Sequence, residues 1–416
     1  MSCLAAEAPK NLEGMIAARS FVDGAQVVSR YDTELYAHQS AMRIVKGIAY
    51  VAYQCNDTSP QENVAGQKAR LAIFNILNPT ATAKWLDIAQ AGDSSDGITL
   101  TGNFVSAPMP HAVADDVLRL FFTGRQGGDT NPLSRLYYKD LTLSTGQLSG
   151  LHQAKCTIAQ NPGKVLDLET SAVQAHLDSL FGEGFGAQFA NGINASCDIV
   201  EADGTLYSTI QIKSSAGGKT RFMTNVLMRS TDHGATWELL GAPDPRLVPG
   251  EVKILAEPAL TLDRNHFHLH LRSNVVANGY LVSKAARTDL YHFDTPVRKW
   301  GYGIGRPAVC DFGKPIGLVA MFTAPSVSMG GATMTRNKCD VVTIDAAYHT
   351  YSLAFSVVDY DAVNTPFMHK YNDEVYVSWS TGRRRLIPKF GTSEIVFSKL
   401  RREYFLSSHA GEMPEQ

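Results

Sequence analysis

Charged and imidazole side chains recur at the ends of β-rich runs in this chain, and their types suit the handling of an anion. Glu257 opens one run just before a proline, and Arg272 lies near the end of the next. Arg125, Lys213 and Arg383 stand at the ends of comparable runs, Arg306 opens another, and Arg336 begins a further one. His38-Gln39 and Pro110-His111 open two runs, and Asn56-Asp57 closes one. Guanidinium groups gathered round one cavity are costly without an anion, because each planar fork matches a carboxylate. A carboxylate such as Glu257 or Asp57, or an imidazole such as His38, set among them could give or take a proton. The competing reading is that salt bridges between neighbouring elements neutralise the arginines. His266, His268 and His270 alternate on one strand face, a spacing that metal ligands also use. No carboxylate motif accompanies them, so buried structural histidines are expected, and no metal or cofactor is assigned.

The elements that must position these groups form a repeat: an apolar run, a polar turn, then a β-rich run ending in polar residues. The second runs are Ile48–Asn56, Leu118–Arg125, Leu206–Lys213, His266–Asn274, Ile316–Thr323 and Val375–Arg383. A third strand follows each, as in Ala69–Asn75 and Ser393–Lys399. Units of roughly 50–90 residues with this strand density favour propeller blades. The expected fold is all-β, a six-bladed β-propeller spanning residues 1–416 as one domain. Ala25–Tyr31 would supply the outer strand of the last blade and close the ring. Val173, His176, Leu177, Leu180 and Phe181 fall at helical spacing. They predict a short helix inserted between blades two and three, within about residues 163–190. In a blade, the start of the first strand and the end of the second share one face. The helical insert opens on that face too, where it could wall or lid a site.

Composition narrows the classes further. Apolar residues make up 44% of the 416 and net charge is −2, so nothing points to nucleic acid or a membrane surface. No apolar run approaches membrane-spanning length. The six cysteines lack paired spacing and read as buried free thiols. The opening residues carry no signal-peptide pattern, so the chain is secreted or periplasmic if a leader was removed, and otherwise cytoplasmic. Oligomeric state is left open.

The stretch Ser230-Thr-Asp-His-Gly-Ala-Thr-Trp237 carries a physical prescription for a turn. Asp232 can accept bonds from nearby backbone and hydroxyl groups, Gly234 can take a left-handed conformation, and Trp237 can plug the turn from below. This stretch resembles the Asp-box of the sialidase-like β-propellers. Ala256-Glu257-Pro258-Ala259-Leu260 through Leu271-Arg272-Ser273-Asn274 resembles the fourth-blade sequence of sialidases. The resemblance implies that Arg272, with Arg336 after Phe322-Thr323-Ala324-Pro325, helps clamp a substrate carboxylate, and that Glu257 faces the sugar. In sialidases that Glu pairs with a nucleophilic Tyr. Here the corresponding place reads Thr365-Pro366-Phe367, with Tyr360 nearest upstream. His38-Gln39 stands where the family's first arginine would be, and Asp57 is the expected loop acid. The His38-Gln39 opening, with Tyr50-Val51-Ala52-Tyr53, resembles propeller polysaccharide lyases and a rhamnosidase family acting on rhamnose linked to glucuronic acid.

Three functions follow as expectations. The first is an exo-acting glycoside hydrolase of sialidase-like type cleaving a terminal acidic sugar, its carboxylate held by Arg272, Arg336, Arg306 and Arg125. Gln39 and His111 would be further sugar contacts, and Glu257, His38 and Asp57 the proton-transfer or charge-stabilising groups. The second is a polysaccharide lyase or rhamnosidase on uronate-containing glycans. The third is a non-catalytic glycan-binding propeller.

Overall fold

The computed structural model describes residues 22–30, 33–62, 64–95, 97–126, 134–159, 161–195, 198–216, 219–248, 253–273, 279–300, 305–323, 338–345, 348, 350–358, 364–382, 393–402 and 405. Its strands form six sheets. The first is built from Tyr36–Val45, Ile48–Asn56, Gln67–Asn75 and Lys84–Ala89 in sequence order. In the second, Ile98–Ala114, Val117–Gln126 and Ser134–Thr142 are the long strands. The fourth begins with Ala256–Leu262, His266–Arg272 and Tyr280–Ala286, and the fifth with Ala308–Asp311, Leu318–Thr323 and Lys338–Ile344. Neighbouring sheets meet through their inner strands, and contact returns from the sixth sheet to the first, so the sheets stand round an axis as a β-propeller.

The ring closes by strand pairing. Val22–Val27 pairs antiparallel with Ser393–Leu400, so the start of the described chain becomes the outer strand of the sixth sheet. The strand lies three residues earlier than the sequence reading placed it, but it performs the expected closure. Apolar clusters fill the spaces between sheets. One joins Val28 and Phe397 of the closing sheet to Tyr53 and Phe74 of the first. This packing removes the alternating apolar faces of both sheets from water.

The third sheet departs from the simple repeat. Its outer edge is the hairpin Lys155–Ile158 and Asn161–Asp167, which joins Thr236–Leu239 through a parallel pairing. The expected insert therefore begins later than residue 163, because residues 161–167 are strand. The helix runs Thr170–Phe181 and buries Ala172, Val173, His176 and Leu177. Its start is tied to the second sheet by the Arg135–Glu169 ion pair at 2.7 Å, and His176 bonds the Leu240 carbonyl oxygen. Among the described residues, its hydrogen bonds run to these neighbours and not to the groups round Glu257 described below.

The turn Ser230–Trp237 forms as its residues prescribe. Asp232 Oδ1 accepts from Thr236 N at 2.9 Å and from Ser230 Oγ at 2.7 Å, while Gly234 N donates to Ser230 Oγ at 2.8 Å. Trp237 is fully buried, edge-on to Phe121 of the second sheet. Gly234 sits at φ +84, and an added Cβ would lie 2.4 Å from Phe121 Cζ. Gly234→Ala is therefore expected to lower stability by about 2–4 kcal/mol, from left-handed strain plus overpacking. Urea denaturation of the two proteins measures it, and an unchanged midpoint would refute this account of the turn.

Candidate functional site

Three inner strands share one distortion near their starts. The pairing register slips between His38 and Ala41, between Ala256 and Ala259, and between Asn364 and Phe367. Within each slip one non-glycine residue has positive φ: Gln39 at 51, Glu257 at 39 and Thr365 at 47. A bulge re-aims a side chain that a regular strand would send into a sheet face. Such left-handed residues cost on the order of 1 kcal/mol or more each, and they persist only where the surroundings hold them.

Glu257 is the residue on which the re-aimed groups converge. Its Oε2 accepts from Arg272 Nη1, within the same hairpin. Its Oε1 accepts from Gln39 Nε2 at 3.3 Å, a bond from the first sheet to the fourth across the ring. Its backbone N–H donates to Gln211 Oε1 of the third sheet at 2.7 Å. Glu257 and Arg272 are both buried. Burying such a pair demands that the remaining lone pairs and protons find partners, and three sheets contribute here.

Lys213, at the end of the strand that carries Gln211, belongs to the same group. Burial lowers its pKa most, Glu62 and Glu257 pull it back up, and Arg125 lowers it further. Glu62 lies on the loop after the second strand of the first sheet, exposed, and accepts from Gln54 Nε2 at 2.8 Å. Glu62, Arg125 and Glu257 thus lie within electrostatic reach of Lys213, and Arg272 is paired with Glu257. Arginine and lysine side chains of this kind are suited to holding an anion. The sequence reading placed Lys213 at a strand end without giving it a role. Glu62 and Gln211 carried no sequence signal, because a glutamate in a polar loop and a glutamine in a strand are ordinary.

The remaining sequence candidates divide by position. His38 stands at the rim, its Nδ1 2.9 Å from Ser380 Oγ, with the buried Thr365 hydroxyl beyond at 3.5 Å. Arg306 is buried beneath, its Nη1 3.4 Å from the Ser40 carbonyl oxygen and its guanidinium 5.4 Å from the Phe367 ring centre. It shares a small cavity with Asp198. Burial raises the Asp198 pKa, opposed by Arg43 and Arg306. Arg336 and Arg383 lie outside the described residues, as does Tyr360.

Two candidates are corrected. His111 is not at the rim: the slip matching those above falls between Ser106 and Met109, so His111 lies deeper on its strand. It is buried against Arg43 Nη2 at 3.1 Å, and burial with that cation takes its pKa to about 3. The imidazole is thus neutral and enclosed, and it accepts from Arg43. Asp57 is held by Lys68 at 2.7 Å and by Arg70 at 3.2 Å. Partial burial works against its charge, but the bonds from Lys68 and Arg70 prevail and hold its carboxyl below the ordinary value. A proton donor needs the opposite shift.

Arg70 also bonds Glu34 and Asp87, each at 2.6 Å, which makes this cluster a closed structural network. Asp87, like Asp57, has its pKa lowered by these bonds against burial. A carboxyl whose folded pKa lies below its unfolded one adds stability above the unfolded value of 3.8, and that stability fades as pH falls through the folded value. Arg70→Met should therefore cost about 3–5 kcal/mol at neutral pH by leaving buried charge unpaired. The difference from the parent should narrow once Asp57 and Asp87 protonate below about pH 4. Denaturation midpoints across this range check it, and a difference independent of pH would remove the electrostatic explanation.

Comparison of the sequence with family models and with curated proteins gives no match. Solved structures do match. A Trypanosoma rangeli sialidase in complex with sialic acid aligns over 93% of this chain and 60% of its own, with TM-score 0.62 and 14% identity. A Hadza microbial sialidase aligns over 91% of this chain and 68% of its own, with TM-score 0.58 and 12% identity. The phage phi92 endosialidase aligns over 92% of this chain and 69% of its own, with TM-score 0.58 and 8% identity. The fold is thus that of the sialidase-like β-propellers, and the chain spans about 60% of the length of the Trypanosoma rangeli enzyme it matches.

Proposed function

We propose that this chain is an exo-acting glycoside hydrolase that removes a terminal acidic sugar, sialic- or uronic-type, from a glycan. Each of the six sheets is read as one blade of a sialidase-type propeller forming a single domain, with Ser230–Trp237 as its Asp-box. The observation that carries the reading is the buried Glu257–Arg272 pair, joined across the ring by Gln39, with Glu62 and Arg125 in electrostatic reach of the nearby Lys213. The cations would hold the sugar carboxylate, with Arg336 as a further arginine of the clamp and Arg306 supporting from beneath. Glu257, bonded to Arg272 and Gln39, would stabilise positive charge developing on the sugar ring or act as a base. Proton donation would fall to Glu62 on its exposed loop, with His38 the second candidate. The neighbouring structures named as sialidases support this class at the level of the fold.

The test is a screen of the purified protein against fluorogenic sialosides, uronides and rhamnosides, together with uronic-acid polysaccharides. A terminal acidic sugar should be released. Glu257→Gln and Arg272→Ala should each lower kcat/KM by about 100-fold or more. Lys213→Met should mainly raise KM, about tenfold, if it binds ground state and transition state alike. Ultraviolet absorbance from an unsaturated product would replace the hydrolase with a lyase using His38. Saturable sugar binding without turnover would make the chain a binding propeller.

A further inference from the structure

The hairpin that carries Glu257 and Arg272 at one end carries a second cluster at its other end. Asp263 lies in the turn between Ala256–Leu262 and His266–Arg272. Its Oδ2 is 2.8 Å from His268 Nε2, and its Oδ1 is 3.7 Å from His266 Nδ1. Because alternate residues of a strand share a face, His266 and His268 point the same way, and the turn brings the carboxylate over them. One ligand atom from each of the three lies within 4.8 Å of the other two. The sequence reading saw the alternating histidines but no accompanying carboxylate; the turn supplies it.

The surroundings fit a ligand site better than a plain hydrogen-bonded pair. His268 is buried and stacked flat on Tyr348, in the connection between Lys338–Ile344 and Tyr351–Val358 of the fifth sheet, with ring centres 3.6 Å apart and planes 1° from parallel. Asp263 Oδ1 also accepts from the backbone N–H groups of Asn265 and His266, at 2.6 and 2.7 Å, which fixes the carboxylate from behind. Outer contacts of this kind set the orientation of metal ligands. His266 is only partly covered, so its ring can rotate inward. Ligand atoms on a tetrahedral zinc ion stand about 3–3.5 Å apart, a closure of about 1 Å from the present spacing. Asp263 and Tyr348 also line a cleft of ≈ 650 Å³ between the fourth and fifth sheets, with Asp311, Lys314 and Asp345 on its walls.

We propose that Asp263, His266 and His268 bind a divalent transition-metal ion, with Zn²⁺ the ion of choice, and that its remaining coordination position opens to this cleft. Two imidazoles and one carboxylate suit zinc, and three protein ligands leave a position for water or a small oxygen ligand. In the bound state His268 Nε2 gives its lone pair to the metal instead of a hydrogen to Asp263, and its ring proton resides on Nδ1. The site lies at the far end of the hairpin from the Glu257 group, so it stands or falls separately from the glycosidase reading.

The experiment is a titration of the full, chelator-treated protein with Zn²⁺ by calorimetry, and with Co²⁺ by visible absorption. One equivalent of Zn²⁺ should bind and raise Tm, and Co²⁺ should show the d–d bands of a nitrogen- and oxygen-ligated ion without thiolate charge transfer. His266→Ala and Asp263→Asn should each weaken binding about tenfold or more, with unchanged circular dichroism. His268→Ala should do the same. Because His268 packs on Tyr348, a fold defect in that variant leaves the decision to the other two. The proposal is overturned if the parent takes up no stoichiometric Zn²⁺, if His266→Ala and Asp263→Asn bind it as the parent does, or if the cobalt spectrum shows thiolate ligands.

Discussion

The buried Glu257–Arg272 pair is the constraint round which the inner end of the propeller is arranged. Two opposite charges removed from water lose several kcal/mol of hydration apiece, and their mutual attraction compensates only if the leftover hydrogen-bonding sites are filled. One hairpin cannot fill them. Gln39 reaches over from the first sheet to the carboxylate, and Gln211 of the third accepts from the Glu257 backbone N–H, so these bonds form only when the sheets close into a ring. The unusual backbone at Gln39 and Glu257 follows from this need, since a regular strand would turn both side chains away.

The same physics gives opposite outcomes at two places in the molecule. At Arg70, three carboxylates, Glu34, Asp57 and Asp87, surround one guanidinium, and Lys68 bonds two of them. That network ties Gln67–Asn75 to Lys84–Ala89 and to the chain before the first strand. Round Glu257, the carboxylate is bonded to Arg272, and Lys213 is held where burial weakens its hold on a proton. Both clusters are made of the same residue types; the first is tied within and beside the first sheet, whereas Glu257 is also bonded across the ring through Gln39.

Mechanical support for this arrangement comes from outside it. The outer strand Val22–Val27 ties the sixth sheet shut, and Trp237 against Phe121 fastens the third sheet to the second. The helix Thr170–Phe181 adds a further fastening through Arg135 and Leu240. None of these contacts touches Glu257. They fix the spacing of the inner strands, and a shift of about 1 Å there would matter to any reaction that depends on alignment.

The sequence by itself determined the strand repeat, the closing strand, the helix and the Ser230–Trp237 turn. Each rests on local periodicity or on turn chemistry within a few residues, where backbone preference is written directly into residue type. It also brought Glu257 and Arg272 to one end of a hairpin, since neighbouring strands fix that placement. Only the tertiary structure decided which charges meet across the ring. Asp57 and Glu62 lie five residues apart, yet one is absorbed by Lys68 and Arg70 while the other lies within electrostatic reach of Lys213. His111 resembles a rim residue until the bulge near Ser106 shows how deep its strand runs. Partner choice and burial depend on strands far apart in the chain, and no local pattern records them.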